Sequence, residues 1–95
     1  IITGGNGADI IDGGTNDDTI NLANGNFAVG ESITGGANND TIVLTNATTV
    51  DFTTGTLATV ETLTGSTGND TVTMLVTHIA GMFTTVNLQG GTDIL

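Results

Sequence analysis

The 95-residue chain contains no lysine or arginine, and its eight aspartates and two glutamates set a formal charge of −10. Without cationic side chains it cannot neutralise phosphates, so nucleic acid and anionic membrane surfaces are excluded as direct partners, and no apolar run is long enough to insert into a bilayer. Cysteine is absent, which removes disulfides and thiolate metal sites. Such acidity can mark a disordered tail, but 37% of the residues are hydrophobic and recur in register with the aspartates, which argues for an ordered fold.

In chain order, the first element is the turn Gly4-Gly5-Asn6-Gly7-Ala8-Asp9, which runs into Ile10-Ile11. Gly13-Gly14-Thr15-Asn16-Asp17-Asp18 follows and leads to Thr19-Ile20. Gly35-Gly36-Ala37-Asn38-Asn39-Asp40 leads to Thr41-Ile42, and Gly65-Ser66-Thr67-Gly68-Asn69-Asp70 leads to Thr71-Val72. A shortened turn, Gly90-Gly91-Thr92-Asp93, precedes Ile94-Leu95. Two residues after each aspartate stand Ile11, Ile20, Ile42, Val72 and Leu95; two further on, Leu22, Leu44 and Met74 continue the alternation of a strand with one buried face. Just before each turn come Ile2, Ile11, Ile33, Leu63 and Leu88, so a strand enters the turn and a second one leaves it.

The aspartates are separated by 9, 22, 30 and 23 residues. Unequal spacing around a constant motif predicts coils in which one element is fixed while the opposite side absorbs insertions. Each long interval carries one aromatic residue, Phe27, Phe52 or Phe83, and these are expected to stack inward at the second edge. Glycine, threonine, asparagine and β-branched residues disfavour helix. Only Leu75 to Phe83, through Leu75, Ile79 and Met82, offers a brief helical spacing, and strand or loop is the favoured reading there too. The fold expected is an all-β parallel β-roll or β-helix of about four coils, residues 1–95 forming one solenoid segment excerpted from a longer repeat protein.

If Asp18, Asp40, Asp70 and Asp93 occupy one edge, neighbouring carboxylates lie about 5 Å apart and repel by roughly 0.8 kcal/mol in bulk water, several times more at a protein-like permittivity. A hard divalent cation between successive turns reverses that repulsion, and calcium, which takes six to eight oxygens including carbonyls, suits a turn of this kind. Gly4 to Ile11 fits the pattern G-G-x-G-x-D-x-U-x, with Asp9 in sixth place and Ile11 in eighth. Asn16 and Asn38 replace the third glycine, Ser66 replaces a second one, and the last turn is two residues short. On these residues the chain resembles the RTX, or hemolysin-type, calcium-binding repeats of secreted bacterial proteins.

The resemblance implies Ca2+ bound between stacked turns by aspartate carboxylates and turn carbonyls. The implied side-chain ligands are Asp9, Asp18, Asp40, Asp70 and Asp93, on turns built from Gly4, Gly5, Gly7, Gly13, Gly14, Gly35, Gly36, Gly65 and Gly68. It also implies a secreted or cell-surface location and a non-enzymatic structural module that folds and assembles on calcium, with neighbouring repeats or copies of itself as partners. Surface-layer, adhesin or extracellular filament repeats are the types it fits. An accessory repeat of an exported protease, lipase or epimerase is the alternative. A minor alternative is an ice-binding face, read from the threonine ladder Thr19, Thr41 and Thr71, although Val43 interrupts the neighbouring column Asn21, Val43 and Thr73.

The remaining acids are expected to be less involved. Asp17 is read as pointing to solvent, with a contact behind the ligands as the alternative, Asp12 as a surface residue, and Asp51 as lying in the long insertion with no partner at matching spacing. Glu31 and Glu61 occupy equivalent places, each two residues before an apolar-Thr-Gly step, and are read as a solvated strand face. Asp9 lies nine residues from Asp18 and so on the opposite edge, its stacking partner expected before Ile1. His78, within Val76-Thr77-His78-Ile79, is read as a strand or loop residue, since no serine, cysteine or second histidine accompanies it.

Overall fold

The structure is a computed structural model that describes residues 1–94. Ten short strands follow in order: β1 (Ile2–Thr3), β2 (Ile10–Gly14), β3 (Thr19–Leu22), β4 (Ser32–Gly36), β5 (Thr41–Leu44), β6 (Thr49–Asp51), β7 (Thr56–Ala58), β8 (Thr62–Thr64), β9 (Thr71–Thr73) and β10 (Thr85–Asn87). All pairings are parallel, and they sort the strands into three sheets, β2-β4-β7, β1-β3-β5-β8-β10 and β6-β9. Consecutive strands along the chain therefore belong to different sheets, and each strand pairs with its counterpart one coil later. This is the expected β-solenoid of about four coils, here with three faces.

The register gives the coil length. Ile20 lies over Ile42, Ile42 over Leu63, and Leu63 over Val86, steps of 22, 21 and 23 residues. Because side chains alternate across a strand, this register stacks like on like inside the coil. Ile20, Ile42 and Leu63 form one fully buried column, Leu22 and Leu44 a second, Ile11, Ile33 and Leu57 a third, and Val50 and Val72 a fourth. Ile2, Leu88 and Met74, also expected inside, are half-buried against this core. Leu95, expected in the same column as Val72, lies outside the described residues.

The phenylalanine stack forms only in part. Phe27 and Phe52 meet edge to face, with ring centroids 4.9 Å apart and planes at 74°. Phe83 is buried as well, but it sits just before Thr84, whose amide donates to the Glu61 carbonyl at the corner between the first two sheets. Its spacing from Asp70 matches that of the other two, yet it enters the core at a different corner.

One stretch departs from the solenoid. Where the last coil would add a fourth strand to the β2-β4-β7 sheet, the chain forms helix α1 (Val76–Gly81). The short helical spacing in this segment thus prevails over the strand or loop expected. His78 belongs to that helix and is buried, its Nδ1 accepting the Leu75 amide at 3.2 Å and so capping the first turn.

Phe52 is fully buried and pairs with the Phe27 ring. Its replacement by alanine is expected to lower stability by about 3–5 kcal/mol in denaturant titrations of calcium-loaded protein. A loss below about 1 kcal/mol would mean that the aromatic pair is peripheral to the core.

Candidate metal centre

The three sheets meet at three corners, and at each corner an acidic residue stands immediately before the leaving strand in at least one coil. One corner carries Asp18, Asp40 and Glu61, preceding the aligned Thr19, Thr41 and Thr62. A second carries Asp9 and Glu31, preceding Ile10 and Ser32. The third carries Thr48 and Asp70, preceding Thr49 and Thr71, with Asp93 preceding Ile94, which bridges to Thr71. The expected single edge of Asp18, Asp40, Asp70 and Asp93 is therefore corrected. The 30-residue step from Asp40 to Asp70 comprises a coil of 21 residues to Glu61 and one further face of nine.

At every corner the carboxylate of one coil accepts the backbone amide of the corner residue in the preceding coil. Asp40 Oδ1 accepts from Asp18 N at 2.8 Å, and Glu61 Oε2 from Asp40 N at 2.8 Å. Glu31 Oε2 accepts from Asp9 N at 3.0 Å. Asp70 Oδ1 accepts from Thr48 N at 2.9 Å, and Asp93 Oδ1 from Asp70 N at 2.9 Å. These amides point along the solenoid axis at the corners, where the sheet ladders are interrupted, so a carboxylate supplies the acceptor that a carbonyl supplies within a strand.

Two readings of the sequence change as a result. Glu31 and Glu61 are not a solvated strand face: Glu31 is 1% exposed and Glu61 half-buried, and both continue columns begun by aspartate. Asp9 also has a stacking partner within the chain, Glu31 in the following coil. The two glutamates share their spacing from the next apolar-Thr-Gly step, and that is the signal of their common placement in the sequence.

The turns explain their own glycines. In each of the first four, the carboxylate folds back against the first glycine, five residues earlier. A Cβ at Gly4, Gly13 or Gly65 would lie 2.8 Å from Oδ2 of Asp9, Asp18 or Asp70, and at Gly35 it would lie 2.5 Å from that of Asp40. The second and fourth positions turn the chain through left-handed conformations: Gly5, Gly14 and Gly36 have φ of 96°, 92° and 114°, and Gly7, Asn16 and Asn38 have 99°, 79° and 83°. Asparagine in place of the third glycine is thereby accommodated as expected.

What remains unsatisfied is specific. Oδ2 of Asp9, Asp18 and Asp40 and Oε1 of Glu31 are buried and accept no hydrogen bond. The chain has no lysine or arginine to pair with them. A buried, uncompensated carboxylate oxygen is unfavourable by several kcal/mol, which a bound cation removes. No three carboxylates or imidazoles converge among the described residues, so a cation here would also draw on the turn carbonyls. An all-oxygen set of mixed carboxylate and carbonyl ligands fits calcium and suits neither zinc nor a compact magnesium octahedron.

The fourth turn is built differently. Neither Ser66 nor Gly68 adopts a positive φ. The Ser66 amide donates to Asp70 Oδ2 at 2.8 Å, and its hydroxyl lies 3.1 Å from both carboxylate oxygens. Asp70 therefore has both oxygens hydrogen-bonded, in contrast to Asp9, Asp18 and Asp40. Gly68 serves close packing, with a Cβ there 2.9 Å from that of Ala47.

The other acids have structural roles. Asp17 is exposed as expected, yet its Oδ1 accepts the Asn39 amide of the next coil at 3.0 Å. Asp51 aligns with Thr73 of the next coil, and its Oδ1 accepts the Thr53 amide at 2.9 Å, capping the 3-10 turn Phe52–Thr54. Asp12 is exposed on β2. The threonine ladder runs through Thr19, Thr41, Thr62 and Thr85, whereas Thr71 lies on another face beside Thr49.

A family model described as the RTX calcium-binding nonapeptide repeat matches four copies over residues 1–26, 31–45 and 58–73, together more than half of the chain. Repeats of this family bind Ca2+. No curated protein and no solved structure matches the chain.

Ser66→Ala removes the hydroxyl contacts of Asp70 and leaves its carboxylate the amides of Ser66 and Thr48. A loss of about 1–3 kcal/mol is expected in denaturant unfolding at fixed calcium. An unchanged stability would show that the amide bonds alone satisfy Asp70.

Proposed function

Because the chain belongs to the RTX calcium-binding nonapeptide repeat family, we propose that it is a non-enzymatic structural module of a secreted or cell-surface bacterial protein that folds when calcium occupies its corners. The observation that carries this reading is the set of buried, unpartnered oxygens on Asp9, Asp18 and Asp40, each on a glycine turn of a chain without a cationic side chain other than His78. In this reading Asp18 and Asp40, stacked one coil apart, are the principal side-chain ligands. Asp9 serves the second corner. Asp70 and Asp93 contribute mainly through the hydrogen bonds that hold their coils together.

The physical logic is linkage. With ten acidic side chains, the chain repels itself when compact and no ion is bound, and an unfolded chain relieves that repulsion. An ion that binds only the folded state adds about 2.7 kcal/mol per site at a hundredfold excess over its Kd. Net stabilities of domains are only about 5–15 kcal/mol, so a few such sites suffice to switch the fold. Folding on calcium suits a protein that crosses from a calcium-poor to a calcium-rich compartment. A parallel solenoid with regular faces further suits surface-layer, adhesin or filament assemblies, in which identical coils stack.

Circular dichroism during calcium titration, with magnesium in parallel, tests this reading. A transition from coil to β-sheet in calcium alone is expected, with Asp40→Asn moving the midpoint to roughly tenfold or more higher calcium, equivalent to about 1.4 kcal/mol. A β-sheet spectrum in chelator that calcium leaves unchanged would contradict it.

A further inference from the structure

The corner shared by Asp9 and Glu31 differs from the one shared by Asp18 and Asp40. Its second carboxylate does not come from a glycine-rich turn: the segment before it is Phe27-Ala28-Val29-Gly30. Glu31 is nevertheless 1% exposed, and its Oε1 is buried without a hydrogen-bond donor. Its other oxygen, Oε2, accepts the Asp9 amide, which places the carboxylate beside Asp9, whose Oδ2 is also buried and unpartnered. The Glu31 backbone is fully engaged, its amide donating to the Ala28 carbonyl and its carbonyl accepting the Thr56 amide. The unsatisfied valence is thus confined to the side chain.

The next coil supplies no carboxylate to this corner. Thr56 aligns with Ser32, so Gly55 follows Glu31 in the column, and a Cβ at Gly55 would collide with the Glu31 carbonyl and approach Phe27. Two acidic residues stack one coil apart here, with the Glu31 carboxylate on the Asp9 amide and one buried, unpartnered oxygen on each side chain, and the chain has no lysine or arginine to neutralise them. Glu61 stands in a corresponding place at the other corner but is half-buried, and its oxygens are not among the orphaned ones.

From this we infer that Glu31 is a cation ligand and that Asp9 and Glu31 together form a divalent-cation site of their own, in which glutamate replaces a second glycine-rich turn. The inference rests on the calcium-binding reading above and extends it to a residue outside the nonapeptide turns. Having fewer glycine carbonyls, the site depends on the Glu31 carboxylate more than the Asp18–Asp40 corner depends on any residue outside its two turns. The longer glutamate side chain reaches back to the corner from a turn that lacks the G-G step.

Calcium binding to the whole chain by isothermal titration calorimetry tests this, with Glu31→Gln and Asp9→Asn each compared with the unmodified chain. Circular dichroism verifies that the variants are folded. Each substitution is expected to remove the same binding event, one ion fewer per chain, while the remaining events persist, and the double variant loses no more than either single one. Retention of the full stoichiometry and affinity by folded Glu31→Gln would overturn the inference, yet leave calcium binding at the other corner intact. Failure of the unmodified chain to bind calcium would overturn both readings. If Glu31→Gln does not fold, calcium anomalous density in crystals of the unmodified chain decides: density between Asp9 and Glu31 supports the site, and density confined to other corners overturns it.

Discussion

A parallel solenoid has to hold its backbone together at the corners, where the sheet ladders stop and amides still point along the axis. In this chain the acceptor is a carboxylate from the next coil. It recurs at all three corners, with Asp40 under Asp18, Glu61 under Asp40, Glu31 under Asp9, Asp70 under Thr48 and Asp93 under Asp70. The coil length near 22 residues and the three-faced cross-section keep these groups in register. The same arrangement stacks negative charge on negative charge in a chain with no lysine or arginine. The device that fixes the register thus also gathers the negative charge that bound calcium would offset in the proposed function.

The corners hold that charge in two ways. Asp18 and Asp40 keep one buried oxygen free of hydrogen bonds, on turns whose glycines and asparagines open a cradle in left-handed conformations. Asp70 has its oxygens covered by Ser66, on a turn without those conformations. The fourth turn, with Ser66 in the second position, thus covers its carboxylate with a hydroxyl and an amide, whereas the first three leave one oxygen uncovered.

Much of this was legible in the residues. The alternation in Thr19-Ile20-Asn21-Leu22 and Thr41-Ile42-Val43-Leu44, repeated at a 22-residue step, fixes parallel strands with a common buried face, and both leucines and both isoleucines are buried as read. Asn16 and Asn38 were interpretable as left-handed substitutes because glycine and asparagine share that preference. The number of faces was harder to see. Aspartate spacing alone assigns Asp70 to the column of Asp40, because nothing local announces that Glu61 has taken that place with a different side-chain length. Burial of Glu31 depends on coils on either side of it, a long-range property that composition cannot reveal. Helix α1 replaces a strand in a segment whose local pattern is weak, and the neighbouring sheet simply ends there.

The dependence of the corners on a cation is tested most directly by amide hydrogen exchange at single residues, at saturating calcium and in chelator. The amides of Asp9, Asp18 and Asp40 are bonded only through carboxylates of the following coil. Slow exchange at all three in calcium, and exchange at near-unfolded rates in chelator, is the result expected if neutralised carboxylates hold the coils in register. Equal protection of these amides under both conditions would contradict it, since the carboxylate ladder would then stand without any counter-ion.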